Sequence, residues 1–277
     1  MTMAAELRAN LLLRAMEPGT FKRVTRRLTV LDVGAGDIMH LPGVPDGWIY
    51  FPLTALLALV VSDASGTGVA VGVVGPEGAT GLTAALTGVE TPAEVVCTIP
   101  GRVARLSADA LPALVADDVR LLDAVVGCLS AQLVEVVQLS ACNRLHPLAD
   151  RLARWLLCAQ DRSGRDELPL THDLLARLLG ASRPNVSAVM EAFARRGLVA
   201  TERGAIRILD REGLARAGRQ CFQPVPPAFG RLGAVSGRTA PSPTADPPGQ
   251  GPAPSAARAR GTRRRTPPPA APRVAGT

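Results

Sequence analysis

The sequence predicts an α+β chain: a front of short strands, then one long helix, then a winged helix-turn-helix. Three observations predict it. Between Leu28 and Leu106, short β-branched runs alternate with Gly and Pro turns. From about Asp117 to Ala141, apolar residues recur at helical spacing. From Thr171 to Leu209, two capped helices with a Gly between them lead into a hairpin with a Gly turn.

The first element is helical. Residues 5–28 carry Leu7, Leu11, Leu12 and Met16, then Phe21 and Val24 after a Pro18-Gly19 break. Six strands come next: Thr29–Val33, Trp48–Pro52, Leu56–Ser62, Val69–Val74, Val95–Ile99 and Val103–Leu106. Short strands at regular spacing suggest a β-sandwich or β-roll, with turns at Asp46-Gly47 and Asp63-Ala64-Ser65-Gly66. Ser107 then reads as an N-cap, with Asp109 in the first helical turn.

The long helix carries two apolar ladders. Leu122, Val126, Leu129, Leu133 and Val136 follow a 4-3-4-3 spacing, the seam of a helix pair. Leu121, Val125, Cys128 and Leu139 form a second ladder on an adjacent face. A single buried helix is one account of this. Two apolar faces on so long a helix call for two covers, and the reading adopted is a homodimer with the seam at its interface. The segment Cys142 to Pro147 reads as a hinge, after which Pro147 opens a helix at its first position. Leu148, Leu152, Trp155, Leu156 and Ala159 give that helix one apolar face.

Residues 171–196 carry the most chemistry. Thr171 is a natural N-cap, Gly180 suits a left-handed C-cap, and Ser182 is placed to cap a second helix. That helix, about Arg183 to Arg196, turns Val186, Val189, Met190 and Phe193 inward, and Pro184 fits its first turn. Arg183, Asn185, Ser187 and Ala188 lie off the apolar stripe. Arg bonds guanine bidentately, Asn bonds adenine, and Ser meets base or phosphate, so this face suits a major groove. Arg183 at a helix N-terminus suits phosphate equally well. Val199–Glu202 and Ala205–Leu209 then form a wing around Arg203-Gly204, with Arg203 and Arg207 directed at the backbone, and Asp210 caps a last helix ending near Cys221-Phe222.

Composition removes other classes. The formal net charge of +7 is uneven: residues 1–142 hold nine basic and fourteen acidic groups, 143–222 hold fourteen and nine, and 223–277 hold eight Arg and one Asp. An evenly basic, histone-like protein is excluded, and the helix-turn-helix lies in a block of +5. No uncharged run of about 18 apolar residues predicts a membrane span, and the start lacks the pattern of a secretory leader. The five Cys form no CxxC pair, so a reducing cytoplasm and neither disulfides nor a zinc ribbon are expected. Gly75-Pro76-Glu77-Gly78-Ala79-Thr80-Gly81 lacks the Lys of a phosphate loop, no GxSxG is present, and the three His make no i, i+4 pair. No enzyme and no cofactor are expected. Thirteen of the 24 Pro lie in 223–277, so that tail reads as disordered. Its cluster Arg258, Arg260, Arg263, Arg264 and Arg265 either touches nucleic acid without specificity or is simply solvated.

The order of these elements over about residues 10–222 resembles the Crp/Fnr family of bacterial transcription regulators. The likeness is strongest at Gly180-Ala181-Ser182-Arg183-Pro184-Asn185-Val186-Ser187, similar to the family's turn and recognition helix, with Leu170-Thr171 opening the motif. The stretch CNRLHPLADRLARWLL (142–157) resembles the start of that domain. Tyr50-Phe51-Pro52 and VGPEGATGL (74–82) are similar to its β-roll. The resemblance implies a cyclic-nucleotide-binding-like β-roll over 1–116, a dimerisation helix over 117–142, a winged helix-turn-helix over 143–222, and the tail over 223–277. It also implies a homodimer on a two-fold symmetric operator in double-stranded DNA, with RNA polymerase as a further partner and an unknown small-molecule effector. Thr171, Ser182, Arg183, Asn185, Ser187, Arg203 and Arg207 would carry the DNA contacts.

Two departures bear on that expectation. Familiar members place Glu and, four residues later, Arg on the recognition helix, where this chain has Pro184 and Ala188, so their half-site sequence is not carried over. Cyclic-nucleotide-binding members hold the ribose with a Glu and the phosphate with an Arg. Glu77, with Gly78 and Gly81, marks the corresponding pocket (Glu90 is a second candidate), but no Arg or Lys stands between Gly81 and Cys97. An effector other than cyclic AMP is therefore expected. An iron–sulfur sensor is not, because the first Cys is Cys97. His40 reads as a lone loop His, structural or solvated, and Cys128, Cys142 and Cys158 as small buried hydrophobes. The rival reading is a small-molecule-binding or partner-binding module whose winged helix contacts protein instead of DNA.

Overall fold

The computed structural model describes residues 3–218 apart from Ser65. The expected tail at 223–277, with its Arg cluster, lies outside the described residues, as does the expected helix end near Cys221.

The N-terminal region is three short helices, α1 (Met3–Leu7), α2 (Leu11–Ala15) and α3 (Pro18–Thr25). Asn10 makes the first break. Its Oδ1 accepts the N–H groups of Leu12 and Leu13, both at 3.1 Å, which caps α2. Its Nδ2 donates to the carbonyls of Pro52 (3.0 Å) and Gly78 (2.7 Å), tying this region to the strands. Pro18 opens α3 from its first turn.

The strand region holds β1 (Thr29–Val33), β2 (Ile38–His40), β3 (Trp48–Pro52), β4 (Leu56–Ser62), β5 (Gly68–Val74), β6 (Glu94–Ile99) and β7 (Gly101–Ser107). They form two antiparallel sheets, ordered β1-β7-β3 and β2-β6-β4-β5. All six expected strands are present. β2 and the helix α4 (Leu82–Thr87) were not expected. Both are too short to show a period, and α4 stands between Gly81 and Gly88, each left-handed.

Two boundaries correct the sequence reading. Ser107 is the last residue of β7, and Asp109 precedes α5 (Ala110–Asp117). The long helix α6 spans Val119–Leu145, capped by Asp118, whose carboxylate accepts the Leu121 N–H at 3.1 Å. It therefore runs through much of the segment expected as a hinge. The break is confined to His146 and Pro147. Pro147 excludes the α conformation from the residue before it, and His146 is extended at φ −107°, ψ 147°. Pro147 is the N-cap of α7 (Leu148–Ser163) rather than its first helical residue.

One face of α6 is covered. Leu121, Ala124, Val125 and Cys128 pack with Phe51, Leu53, Leu12 and Leu13. The seam is covered only in part: Leu129, half-buried, packs against the edge of that core and Val136 is half-buried, whereas Leu122, Val126 and Leu133 are 37%, 52% and 64% exposed. By length and composition α6 would suffice to cross a membrane. Its buried Glu135, paired with Arg162, and its packing on the roll instead make it the scaffold between the two halves.

The C-terminal part contains β8 (Glu167–Leu168), α8 (His172–Leu178), α9 (Arg183–Arg195), β9 (Val199–Glu202), β10 (Ala205–Ile208) and α10 (Arg211–Ala217), with a sheet ordered β8-β10-β9. It is not separated from the roll. Trp155, Leu175, Leu178 and Leu179 share one core with Leu56, Ala58, Val60, Ala70 and Val73 of β4 and β5. Leu179 forms an antiparallel bridge with Val69.

Candidate nucleic-acid interface

The surface is built on α8 and α9. Thr171 caps α8 by accepting the Leu174 N–H at 3.2 Å. Gly180 takes φ +57°, a backbone that an L side chain would strain, and lets Ala181 donate to the Ala176 carbonyl at 3.0 Å. Ser182 then caps α9, its hydroxyl accepting from the Asn185 N–H at 3.4 Å. Val186, Met190 and Phe193 are buried beneath α9, with Val189 half-buried.

Ser182, Arg183 and Asn185 come together, exposed, at the α9 N-terminus. That end combines unpaired N–H groups with the positive end of the helix dipole, a setting that favours phosphate. Arg183 Nε lies 3.5 Å from Asp173 Oδ1, with both side chains 66% exposed. Such a solvated pair is weak, so the guanidinium is free to turn to a base or phosphate. Thr171 is exposed beyond its capping bond.

Ser187 is placed differently from expectation. It is half-buried, and its Oγ lies 2.9 Å from Nδ1 of His172. Sequence reasoning found no role for His172. The structure makes it the brace between the first residue of α8 and the recognition face of α9. In the wing, Gly204 at φ +78° supplies the turn and Arg203 is exposed beside it. Arg207 donates to Glu202 Oε1 at 2.9 Å across the hairpin, with both groups about half exposed.

The expected effector residues lie in the roll. Glu77 Oε1 accepts the Gly75 N–H at 3.0 Å and Arg162 Nε at 2.7 Å. Arg162 Nη2 also donates to Glu135 Oε1 at 2.9 Å. Burial opposes the Arg162 charge, but Glu77 and Glu135 outweigh it and hold its pKa above the ordinary range. Burial pushes the Glu135 carboxyl up, against the pull of Arg162. Gly78 packs on Cys128 and Gln132, and Gly81, at φ +82°, lies against the Trp48 carbonyl, where a side chain has no room. His40, on β2 and not in a loop, is buried between Asp46 Oδ2 (2.8 Å) and Thr80 Oγ1 (2.9 Å). Cys128, Cys142 and Cys158 are buried, and burial raises the Cys128 thiol to about 11. Among the described residues, no three His, Cys, Asp or Glu side chains gather as a metal site.

The triad Arg162, Glu77 and Glu135 was also missed. The signal was present. Glu135 stands on the buried ladder of α6, seven residues after Cys128, and Arg162 stands seven after Trp155 on the apolar face of α7. A charge inside an apolar stripe needs a buried partner.

Residues 150–217 match the model of the Crp-like helix-turn-helix domain. The chain is similar over 214 residues, at 27% identity, to the CRP-like cAMP-activated global transcriptional regulator of Mycobacterium tuberculosis, covering 74% of this chain and 95% of that protein. The helix-turn-helix is of the Crp type, and the chain is similar over most of its length to transcription regulators of the Crp/Fnr family. A Crp/Fnr regulator of Thermus thermophilus matches with a TM-score of 0.58 at 27% identity, over 70% of this chain and 100% of that one. A Crp/Fnr regulator from Eubacterium rectale shares the fold with a TM-score of 0.61 at 19% identity, over 76% and 99%. The matched domain and these likenesses support a DNA-binding transcription regulator of Crp/Fnr type, not an enzyme, with the helix-turn-helix as its DNA-binding part.

Proposed function

We propose that this Crp/Fnr regulator acts in the cytoplasm as a homodimer on a two-fold symmetric operator, one α9 per half-site. The carrying observation is the seam of α6, Leu122, Val126, Leu129, Leu133 and Val136, left largely open to solvent on a chain whose recognition helix presents a capped, polar N-terminus. An apolar stripe of this length on a soluble surface marks an interaction site, and its heptad spacing fits a second copy of the same helix. Residues 1–116 form the sensor-like part, 117–142 the dimer helix and 143–222 the DNA-binding part. Arg183 and Asn185 read base edges, Thr171, Ser182, Arg203 and Arg207 meet phosphates, and Ser187 is set by His172. RNA polymerase is the further partner through which bound dimers act.

The effector is other than cyclic AMP in its usual pose. The M. tuberculosis relative is described as cAMP-activated, and a regulator of this fold from Xanthomonas campestris as responsive to c-di-GMP. In the present chain the Glu77 carboxylate is engaged by Arg162, and no cation stands between Gly81 and Cys97. A cyclic phosphate there lacks its counter-charge. Selection of duplexes from a random pool by the full chain tests the reading. A palindromic consensus with half-sites about 34–36 Å apart is expected, with affinity falling steeply as salt rises. No enrichment, or binding indifferent to salt, would leave a protein-contacting winged helix instead.

A further inference from the structure

Arg151, Arg154 and Trp155 share one face of α7, at i, i+3 and i+4. That face lines a cavity closed by β5, α6 and α8, so the roll, the long helix and the winged helix all meet there. Arg154 is only 3% exposed. Its Nε and Nη2 are buried with no hydrogen-bond partner among the described residues, and so are Trp155 Nε1 and Arg151 Nε. All four atoms are donors and none accepts. Buried donors are nearly always paired, and these four belong to three residues that line one cavity.

The charges agree with the donors. Glu135 is the acidic side chain among the lining residues, and its Oε1 already accepts from Arg162. Arg162 is in turn shared with Glu77. Glu135 thus answers Arg162 by a hydrogen bond and Arg154 by charge alone, and Arg151 Nη1 donates to the neutral Leu179 carbonyl at 2.6 Å, so the two guanidiniums of the lining share one carboxylate already engaged elsewhere. A water would satisfy the donors but bring two hydrogens of its own and no counter-charge.

We infer that this cavity is a binding site for a small monovalent anion of halide size, held by Arg154 and Trp155 with Arg151 beside them. Its volume, about 20 Å³, suits one small ion. An anion there completes donors of α7 where that helix packs on β5 and α6. Occupancy therefore fastens the winged helix to the roll.

Bromide is the probe. Crystals of the full chain soaked in bromide should show an anomalous peak in the cavity, in contact with Arg154 Nη2 and Trp155 Nε1. In solution, bromide should raise the thermal midpoint above that in sodium glutamate of equal ionic strength, by roughly 3–6 °C at ten times Kd. Trp155→Phe keeps the ring, removes one donor and should shrink that difference. Arg154→Met should abolish it. If Arg154→Met does not fold, the native protein and Trp155→Phe still decide. A cavity without a bromide peak overturns the assignment. So does a peak with equal midpoints in both salts, which would mean an adventitious ion only.

Discussion

The recognition surface rests on a few side chains with separable roles. Arg183 sits at the α9 N-terminus, held only by a solvated contact with Asp173. Arg183→Ala is expected to cost about 1–3 kcal/mol on the selected operator and little on random duplex, if it reads a base. Equal losses in gel-shift titrations on both would make it a phosphate contact. His172 acts one step back. His172→Ala removes the brace on Ser187 and should weaken operator binding by about 1 kcal/mol without changing the salt slope. His40 belongs to stability instead. Burial lowers its pKa below 6.5, outweighing Asp46. The unfolded chain takes up a proton below that value while the native chain resists it. Stability is therefore full above pH 6.5 and declines as pH falls toward the folded pKa. Urea denaturation between pH 7.5 and 5.5 should show this slope, and His40→Gln should flatten it.

At the scale of elements, α6 does two jobs with two faces. Leu121, Val125 and Cys128 seal the roll, and the adjacent seam stays largely open. Leu129→Glu with Leu133→Glu should give monomers in sedimentation, with the roll still folded, because neither side chain is in the fully buried core. An unchanged dimer would reject the seam. The strands with a clear run of β-branched residues were legible within one residue or two. The three-residue β2 and the six-residue α4 were not, since neither is long enough to repeat a pattern. Ser107 misled because its cap chemistry suits a helix start, while its backbone is claimed by pairing with Trp48 across β3 and β7.

For the whole molecule, the decisive feature is the joint between roll and winged helix. Apolar packing of α7 and α8 on β4 and β5 supplies its area. Arg162 with Glu77 and Glu135, and Arg177 with Glu94 at 2.7 Å, supply its registration. Removing one member of a buried ion cluster leaves the others unpaired. Arg162→Ala should therefore destabilise the chain by about 3 kcal/mol, lowering the thermal midpoint by roughly 6–12 °C. A separate early transition appearing ahead of the main one would show that the joint opens as its own unit. An unchanged melting profile would show that the packing alone holds it.

Local chemistry lies within the sequence itself. Caps at Thr171, Ser182 and Asp210, the left-handed glycines 180 and 204, and the two ladders of α6 act over a few residues, so their consequences are readable in order along the chain. The helix-turn-helix and the likeness to Crp/Fnr regulators come from them. Three things come only from tertiary structure: Ser187 braced by His172, Glu77 engaged by Arg162 across 85 positions, and Arg154 buried against a cavity that three elements build together. Each depends on bringing distant segments together, and a buried charge or orphan donor announces that it needs a partner without saying which part of the chain will provide it.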